Sequence, residues 1–242
     1  MEEVNDNLIM VCGGAIKGKS ASLRNLRDPE GVWYFGCEAG KKLPFQSKFE
    51  EYIIIDPYQV HEAFEEAENH DNVHTLIVDS QTFLMDMFES QYVLRVADTM
   101  KGWSNYAQFF KKLMQELVAG SSKNVIFTAH IHQMLNEQSM IMEKRVPVKG
   151  QLAKNGIEAF FSCIVTAKTE TLEKLKKYGN PLLTITEEDE IVGYKHVFQT
   201  KLTKETVGER GMRSPMGMWD TKETFIDNDC QLVMDRLNQF YN

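Results

Sequence analysis

The sequence is poor in cysteine and has no long apolar run, and both absences narrow the class of protein. Its four cysteines are far apart along the 242 residues and form no CxxC pair, so they predict neither a zinc site nor a disulfide framework. No segment has the length and apolar character of a membrane helix, and the first residues do not have the shape of a secretory signal. We therefore expect a cytoplasmic protein with reduced, buried thiols and no membrane association.

An excess of basic residues is also missing. The formal net charge is −8, which argues against a surface made as a whole for nucleic acid but leaves room for a local basic strip. The composition, with 43% apolar and 26% charged residues, is typical of a globular protein. The length suits one large domain or one domain with appendages, and no internal repeat or low-complexity tract divides the chain.

Apolar runs rich in β-branched and aromatic residues alternate with stretches of helical character. The runs lie at 7–12, 32–37, 52–56, 73–79 and 124–129, and the helical stretches at 19–27, 58–70, 82–100 and 104–119. This alternation predicts an α/β fold with a mostly parallel sheet that helices cover on both faces. A β extension with strands at about 161–169, 182–187 and 195–202 and a helix at about 227–241 should come after it. We divide the chain into a core, 1–205, and a C-terminal tail, 206–242.

A glycine-rich loop follows the first predicted strand. The stretch "VCGGAIKGKSAS" contains the pattern G-x-x-x-x-G-K-[ST] as Gly13, Gly14, Ala15, Ile16, Lys17, Gly18, Lys19 and Ser20, with Ala21 next. Backbone amides of such a loop surround a phosphate chain, and a helix that begins at Lys19 adds the positive end of its dipole. Lys19 would then contact the β and γ phosphates, and Ser20 would be a ligand of Mg²⁺. The alternative is a chance match in an ordinary turn between a strand and a helix.

A phosphate-binding loop of this kind needs an acidic partner at the end of another buried strand. The run "TLIVDS" supplies Asp79, which we expect to hold the magnesium through water. An aspartate at a strand end also serves as a turn or cap residue, so the assignment depends on the glycine loop.

Two further strand ends carry polar residues at the expected edge of the sheet. Glu38 follows the second strand in "WYFGCEAG" and is our candidate for the catalytic carboxylate; the alternative is a solvated acid. The fifth strand, "NVIFTAHIH", offers Thr128 or His130 as a sensor of the γ-phosphate, and we favour His130 over an ordinary surface histidine. A metal pair of His130 and His132 is also conceivable, but no third ligand has a suitable spacing.

The order "YFGCEAG", "TLIVDS", "GWSNYAQFFKKLMQEL", "NVIFTAH", "GQLAKNGIEAFFSCIV" resembles the small bacteriophage AAA-type ATPases related to RecA and RadA. The resemblance covers about 1–205 and implies a RecA-like P-loop ATPase core that hydrolyses ATP with Mg²⁺. It further implies a homo-oligomer that acts on single-stranded DNA in phage recombination, annealing or replication. A phage single-strand binding or annealing protein would be its partner in the infected cell.

The resemblance also implies DNA-binding loops after the Walker B strand and after the sensor strand. The second loop maps to 131–155, where Glu137 and Glu143 are outnumbered by four cations, Lys144, Arg145, Lys149 and Lys154. Its methionines would insert between bases or pack locally. The first loop, near 85–103, departs from this pattern because it has only Arg95 and Lys101. The alternative for the second loop is a solvated segment with ordinary charges.

A subunit of such an oligomer places a cation next to the ATP of its neighbour. The candidates in "TKLTKETVGERGMR" are Lys201, Lys204, Arg210 and Arg213, and each is otherwise a solvated surface charge. The low basic content and the poor first loop also favour a second function. In that case, the chain would be a nucleotide-controlled switch or assembly module that binds a protein partner without touching DNA.

Overall fold

The α/β fold expected from the alternating pattern is confirmed. The computed structural model describes residues 5–38, 40–137, 140–209 and 211–241. Within them, the strands are β1 (Leu8–Gly13), β2 (Val32–Gly36), β3 (Glu50–Ile53), β4 (Thr75–Asp79), β5 (Asn124–His130), β6 (His132–Asn136), β7 (Ile141–Arg145), β8 (Cys163–Thr171), β9 (Tyr194–Gln199) and β10 (Phe225–Asp227). One large sheet has the order β10-β9-β8-β1-β5-β4-β2-β3, and β6 and β7 form a separate hairpin. The six strands from β8 to β3 are parallel to one another, and β9 pairs in antiparallel fashion with both β8 and β10.

Helices cover both faces of this sheet. They are α1 (Tyr58–Ala67), α2 (Gln81–Phe88), α3 (Thr99–Lys112), α4 (Leu152–Asn155), α5 (Leu172–Leu175), α6 (Glu187–Val192) and α7 (Cys230–Tyr241). The end of α2 passes into wider π-helical geometry at Glu89–Val93, and α3 passes into a similar segment at Leu113–Val118. In the described part of the chain, no helix combines the length and the apolar composition that crossing a bilayer requires.

Alternation along the central strand divides the core into two layers. Met10 and Cys12 on β1 pack with α1, α2 and α3, whereas Ile9 and Val11 face α7 and the segment after the glycine loop. All four side chains are fully buried. The central strands β1, β2 and β4 are therefore mostly apolar and buried, and most of the polar side chains that can take part in chemistry lie towards the strand ends.

The helix expected at 19–27 is wrong in length, because only Ser20–Leu23 forms a 3₁₀ turn. The Ser22 hydroxyl donates to the carbonyl of Lys19 at 2.6 Å, and Arg24 donates to the carbonyl of Ala21 at 2.8 Å. Side chains thus occupy carbonyl oxygens that a continuing helix would use. A four-residue turn has little macrodipole, so phosphate binding here depends on individual amides and on Lys19.

Two further expectations for the second half are also wrong. Residues 182–185 form no strand; Thr186 and Asp189 instead form a capping box that begins α6. The segment 131–155, expected to be a loop, contains the hairpin of β6 and β7, with pairs from His132 opposite Arg145 to Asn136 opposite Ile141. Because the hairpin stands apart from the large sheet, its exposed strands lack the apolar pattern that identified the others.

A buried histidine predicts acid sensitivity of the fold. His61 is 5% exposed, and its ring stacks on Phe109 with centroids 4.3 Å apart. Burial, assisted by Lys112 and opposed by Glu65, lowers the pKa of His61 from 6.5 to about 4. Below pH 6.5, His61 binds a proton in the unfolded chain, whereas in the native state it stays neutral until the pH approaches about 4. The free energy of unfolding should therefore fall by about 2 kcal/mol between pH 7 and pH 5.

Urea unfolding of the wild type and of His61→Phe at the two pH values measures this effect. The substitution should reduce the loss on acidification, whereas His132→Gln, at an exposed position of the hairpin, should leave it in place. Equal pH dependence in His61→Phe and the wild type would contradict the assignment to His61.

Candidate functional site

Four strand ends meet at one edge of the sheet. The parallel strands β1, β5, β4 and β2 are neighbours in that order, so their C-terminal ends bring together Gly13, His130, Asp79 and Glu38. The edge that the sequence predicts for the candidate residues is thus the one where the structure places them. Their chemistry is determined by the contacts that they make at this edge.

The glycine loop is shaped by close approaches. A Cβ at Gly13 would lie 3.0 Å from the carbonyl oxygen of Ala167, and Gly18 has φ of 89° and lies against the Asn228 side chain. Ile16, with φ of 63° and 93% exposure, marks the outermost point. Within the described part of the chain, the amides of residues 15–19 donate no hydrogen bond. Successive amides without a partner fit an anion such as a phosphate chain.

Lys19 points into the loop rather than into solvent. Its residue is 7% exposed, and Nζ donates to the carbonyls of Gly13 at 3.1 Å and Gly14 at 3.0 Å, with His130 Nδ1 at 3.5 Å. Burial lowers the pKa of Lys19, and the nearby Asp79 carboxylate opposes that effect. The ammonium group is therefore held where phosphate oxygens would replace the two carbonyls as its partners. Lys17 differs, because it is exposed and donates to Thr169 Oγ1 at 3.3 Å.

Ser20 and Asp79 are the pair that fits a magnesium ion. Ser20 Oγ donates to Asp79 Oδ2 at 2.7 Å, and the aspartate is 2% exposed. A hydroxyl next to a buried carboxylate is an all-oxygen donor set of the kind that Mg²⁺ prefers, and one protein carboxylate suffices when phosphates and water complete the shell. These residues therefore fit the group that the glycine loop implies.

Glu38 and His130 form the second pair of polar side chains in the site. His130 Nε2 lies 3.3 Å from Glu38 Oε1, and the backbone amide of His130 donates to Thr82 Oγ1 at 2.9 Å. Burial, and after it the Lys19 ammonium, lowers the pKa of His130. This effect favours the neutral imidazole, which lies between the lysine of the loop and the glutamate.

Sequence reasoning missed two residues that contact the site. Lys41 Nζ lies 2.5 Å from Glu38 Oε2, and the Tyr34 hydroxyl donates to Asp79 Oδ2 at 2.7 Å. A tyrosine inside the apolar run of β2 must find a partner for its buried hydroxyl, so a signal for Tyr34 was present. For Lys41 the sequence offers none, because the turn after β2 decides its direction.

The cations of the segment 131–155 are mostly engaged within the chain. Lys144 Nζ lies 2.7 Å from Glu209 Oε1, and Lys149 pairs with Glu89. Arg145 is partly exposed and contacts the sulfur of Met134 at 3.4 Å. The backbone of Lys154 lies in α4, and its side chain is outside the described part. The local basic excess counted from the sequence is therefore reduced by ion pairs with distant acids.

The residues considered as cations for the ATP site of a neighbouring subunit differ in whether they are already engaged within the chain. Lys201 donates to the carbonyl of Trp219 at 3.0 Å, and Arg213 donates to the carbonyl of Ala159 at 3.3 Å. Arg210 lies outside the described residues. Lys204 is exposed and, within the described part of the chain, forms no ion pair or hydrogen bond. Two aromatic residues of α3, Trp103 and Tyr106, pack together on the core side of the helix and are therefore not placed to stack on DNA bases.

Most of the chain matches the model of a known protein family. A family model described as an AAA domain matches residues 5–209, which include the glycine loop, Asp79, Glu38 and His130. Comparison with curated proteins finds no match.

Proposed function

Because the chain belongs to the AAA domain family, whose members are P-loop ATPases, we propose that it binds ATP with Mg²⁺ and hydrolyses it at the edge formed by β1, β5, β4 and β2. One observation carries this proposal: Lys19, His130 and Glu38 form a continuous set of contacts next to the Ser20–Asp79 pair. Nothing in a merely structural turn requires an ammonium, an imidazole and two carboxylates at the ends of four strands.

Each residue has a separate task in this proposal. The loop amides and Lys19 bind the β and γ phosphates, and Ser20 and Asp79 hold the magnesium, which when bound neutralises charge that develops on the phosphates. Glu38 orients the attacking water and accepts its proton. His130 contacts the γ-phosphate and, through Glu38, reports its presence.

We further propose that the hairpin of β6 and β7 binds single-stranded DNA, as expected for a protein of phage recombination, annealing or replication. Its support is continuity, because one residue, Ile131, separates His130 from the first residue of β6. The exposed side chains Met134, Leu135 and Met142 offer apolar contact to bases, and Arg145 offers a phosphate contact. The ion pairs of Lys144 and Lys149 favour the alternative, in which the same apolar side chains bind a protein partner under nucleotide control.

ATP hydrolysis measured with and without single-stranded DNA at two salt concentrations separates these functions. The DNA hypothesis predicts stimulation that weakens with salt. Among the described residues of the hairpin, Arg145 is the lysine or arginine that forms no ion pair, so one phosphate contact per subunit is expected and the slope of log K against log[salt] should be about −0.7 per subunit. Arg145→Ala should reduce the stimulation, while Arg27→Ala, outside the hairpin and paired with Asp235 of α7, should not. Equal rates with and without DNA would reject the DNA function and leave the nucleotide-controlled module.

Assembly into a homo-oligomer would let Lys204 act on the ATP of a neighbouring subunit. We expect Lys204→Ala and Lys19→Ala to be inactive separately, because one lacks the transferred cation and the other the loop lysine. Mixed in equal amounts, they should regain about a quarter of the wild-type rate, since about one interface in four then combines both intact residues.

Subunit mixing and a phosphate-release assay check this expectation. Absence of recovery, with both variants still able to assemble, would show that Lys204 does not act across an interface. Lys111→Ala, at an exposed position of α3, is the control for nonspecific loss of charge.

A further inference from the structure

Three hydroxyl groups converge on the carboxylate of Asp79. Ser20 Oγ and the Tyr34 hydroxyl both lie 2.7 Å from Oδ2, and the Thr128 hydroxyl donates to Oδ1. Ser20 already has a task as a ligand of magnesium. Tyr34 and Thr128 have none in the proposed reaction, although both are buried, at 6% and 0% exposure.

The two unassigned hydroxyls approach from opposite sides of β4. Tyr34 comes from β2 and Thr128 from β5, and each of these strands pairs directly with β4. The Tyr34 hydroxyl donates to Oδ2 of the carboxylate and the Thr128 hydroxyl donates to Oδ1, so the two hydroxyls hold different oxygens. The orientation of Asp79 is therefore determined by three neighbouring segments of backbone.

A count of lone pairs shows what this arrangement leaves available. An ionised carboxylate has about four lone-pair positions, and three hydroxyl donors leave about one for a water molecule of a bound metal. Ser20 can keep its donated hydrogen bond while an oxygen lone pair faces the metal. Neither Tyr34 nor Thr128 would have to move when a metal arrives.

We propose that Tyr34 and Thr128 are positioning residues that hold Asp79 in the orientation magnesium needs, so that this half of the metal site is formed before nucleotide binds. The inference rests on the proposed function. Groups that orient a metal ligand typically contribute about ten- to a hundredfold to metal affinity, as their removal shows. The same order of effect is expected here.

The test is a magnesium titration of binding of a fluorescent ADP analogue to the full chain. Tyr34→Phe should raise the magnesium concentration at half-maximal binding by about ten- to a hundredfold, while binding at saturating magnesium and binding in EDTA stay close to wild type. Tyr52→Phe removes a hydroxyl that donates to Glu50 on the neighbouring β3 and should leave the midpoint unchanged. At the other side, Thr128→Val should shift the midpoint and Thr128→Ser should restore it.

Thermal melting without nucleotide separates positioning from folding. A lower melting temperature in Tyr34→Phe with a magnesium midpoint within about twofold of wild type would overturn the inference, as would a Thr128→Ser variant no better than Thr128→Val. If the wild type binds no nucleotide at any magnesium concentration, the proposed function itself fails, and that result is distinct from an unshifted midpoint.

Discussion

Lys19→Ala should lower the affinity for ATP by a factor of about 30 to 1,000, the largest effect on binding of any single substitution considered. Lys19 is 7% exposed and its ammonium group is held by the carbonyls of Gly13 and Gly14, so it is already placed for phosphate oxygens. One charge-assisted hydrogen bond contributes about 1.5–3 kcal/mol, a factor of about 10 to 150. Lys19 would contact two phosphates but give up its bonds to the two carbonyls, so the expected loss lies between that of one bond and that of two. Isothermal titration calorimetry with magnesium and ATP measures the loss.

Lys17→Ala is the matched control, because Lys17 belongs to the same loop but is exposed and contacts Thr169. Its contribution to phosphate binding should come from the backbone amide, which alanine retains. An equal loss of affinity in the two variants would indicate damage to the loop as a whole. Retention of wild-type affinity by Lys19→Ala would contradict the phosphate-binding assignment of the site.

Glu38→Gln should reduce the rate of ATP hydrolysis by about 10²- to 10⁴-fold and leave ATP affinity within about threefold of wild type. Glutamine keeps the shape of the side chain and its hydrogen bond to His130, but it cannot accept the proton of the attacking water. The ion pair with Lys41 is lost as well. Single-turnover phosphate release, combined with nucleotide titration, separates the chemical step from binding.

Glu51→Gln, on the exposed strand β3, is the control for the change of one carboxylate to an amide. It should hydrolyse ATP at the wild-type rate. If Glu38→Gln retains more than about a tenth of the wild-type rate, the catalytic carboxylate is a different residue and Glu38 has an electrostatic or structural task.

The parts of the site that sequence could predict are those that depend on local pattern. The spacing within Gly13–Ser20 and the position of Asp79 at the end of an apolar run are properties of short segments. Glu38 and His130 could be placed on the same edge because parallel strands end on one side. Their mutual contact at 3.3 Å depends on strand order, with β2, β4, β5 and β1 adjacent.

The parts that sequence could not predict depend on contacts between distant segments. The pairing of Lys144 with Glu209 spans 65 residues, and that of Lys149 with Glu89 spans 60, so a charge count over 131–155 overstates the basic character of the segment. The shortened turn after the loop has a similar origin, because the Ser22 hydroxyl also contacts Cys230 in α7, 208 residues away. Propensity along 19–27 favours a helix, and tertiary contacts override it.

Because all four cysteines are buried, the rate at which a thiol reagent labels them measures how often the native structure opens. Cys12, Cys37, Cys163 and Cys230 are at most 2% exposed, and burial raises the pKa of each thiol, so a maleimide dye has neither access nor thiolate to attack in the native state. Labelling must then wait for the molecule to open, and its rate reports how often each layer of the core does so. Cys12 lies in the layer beside α1 to α3 and Cys230 in the layer beside the loop, so the order in which peptides acquire dye distinguishes which layer opens first.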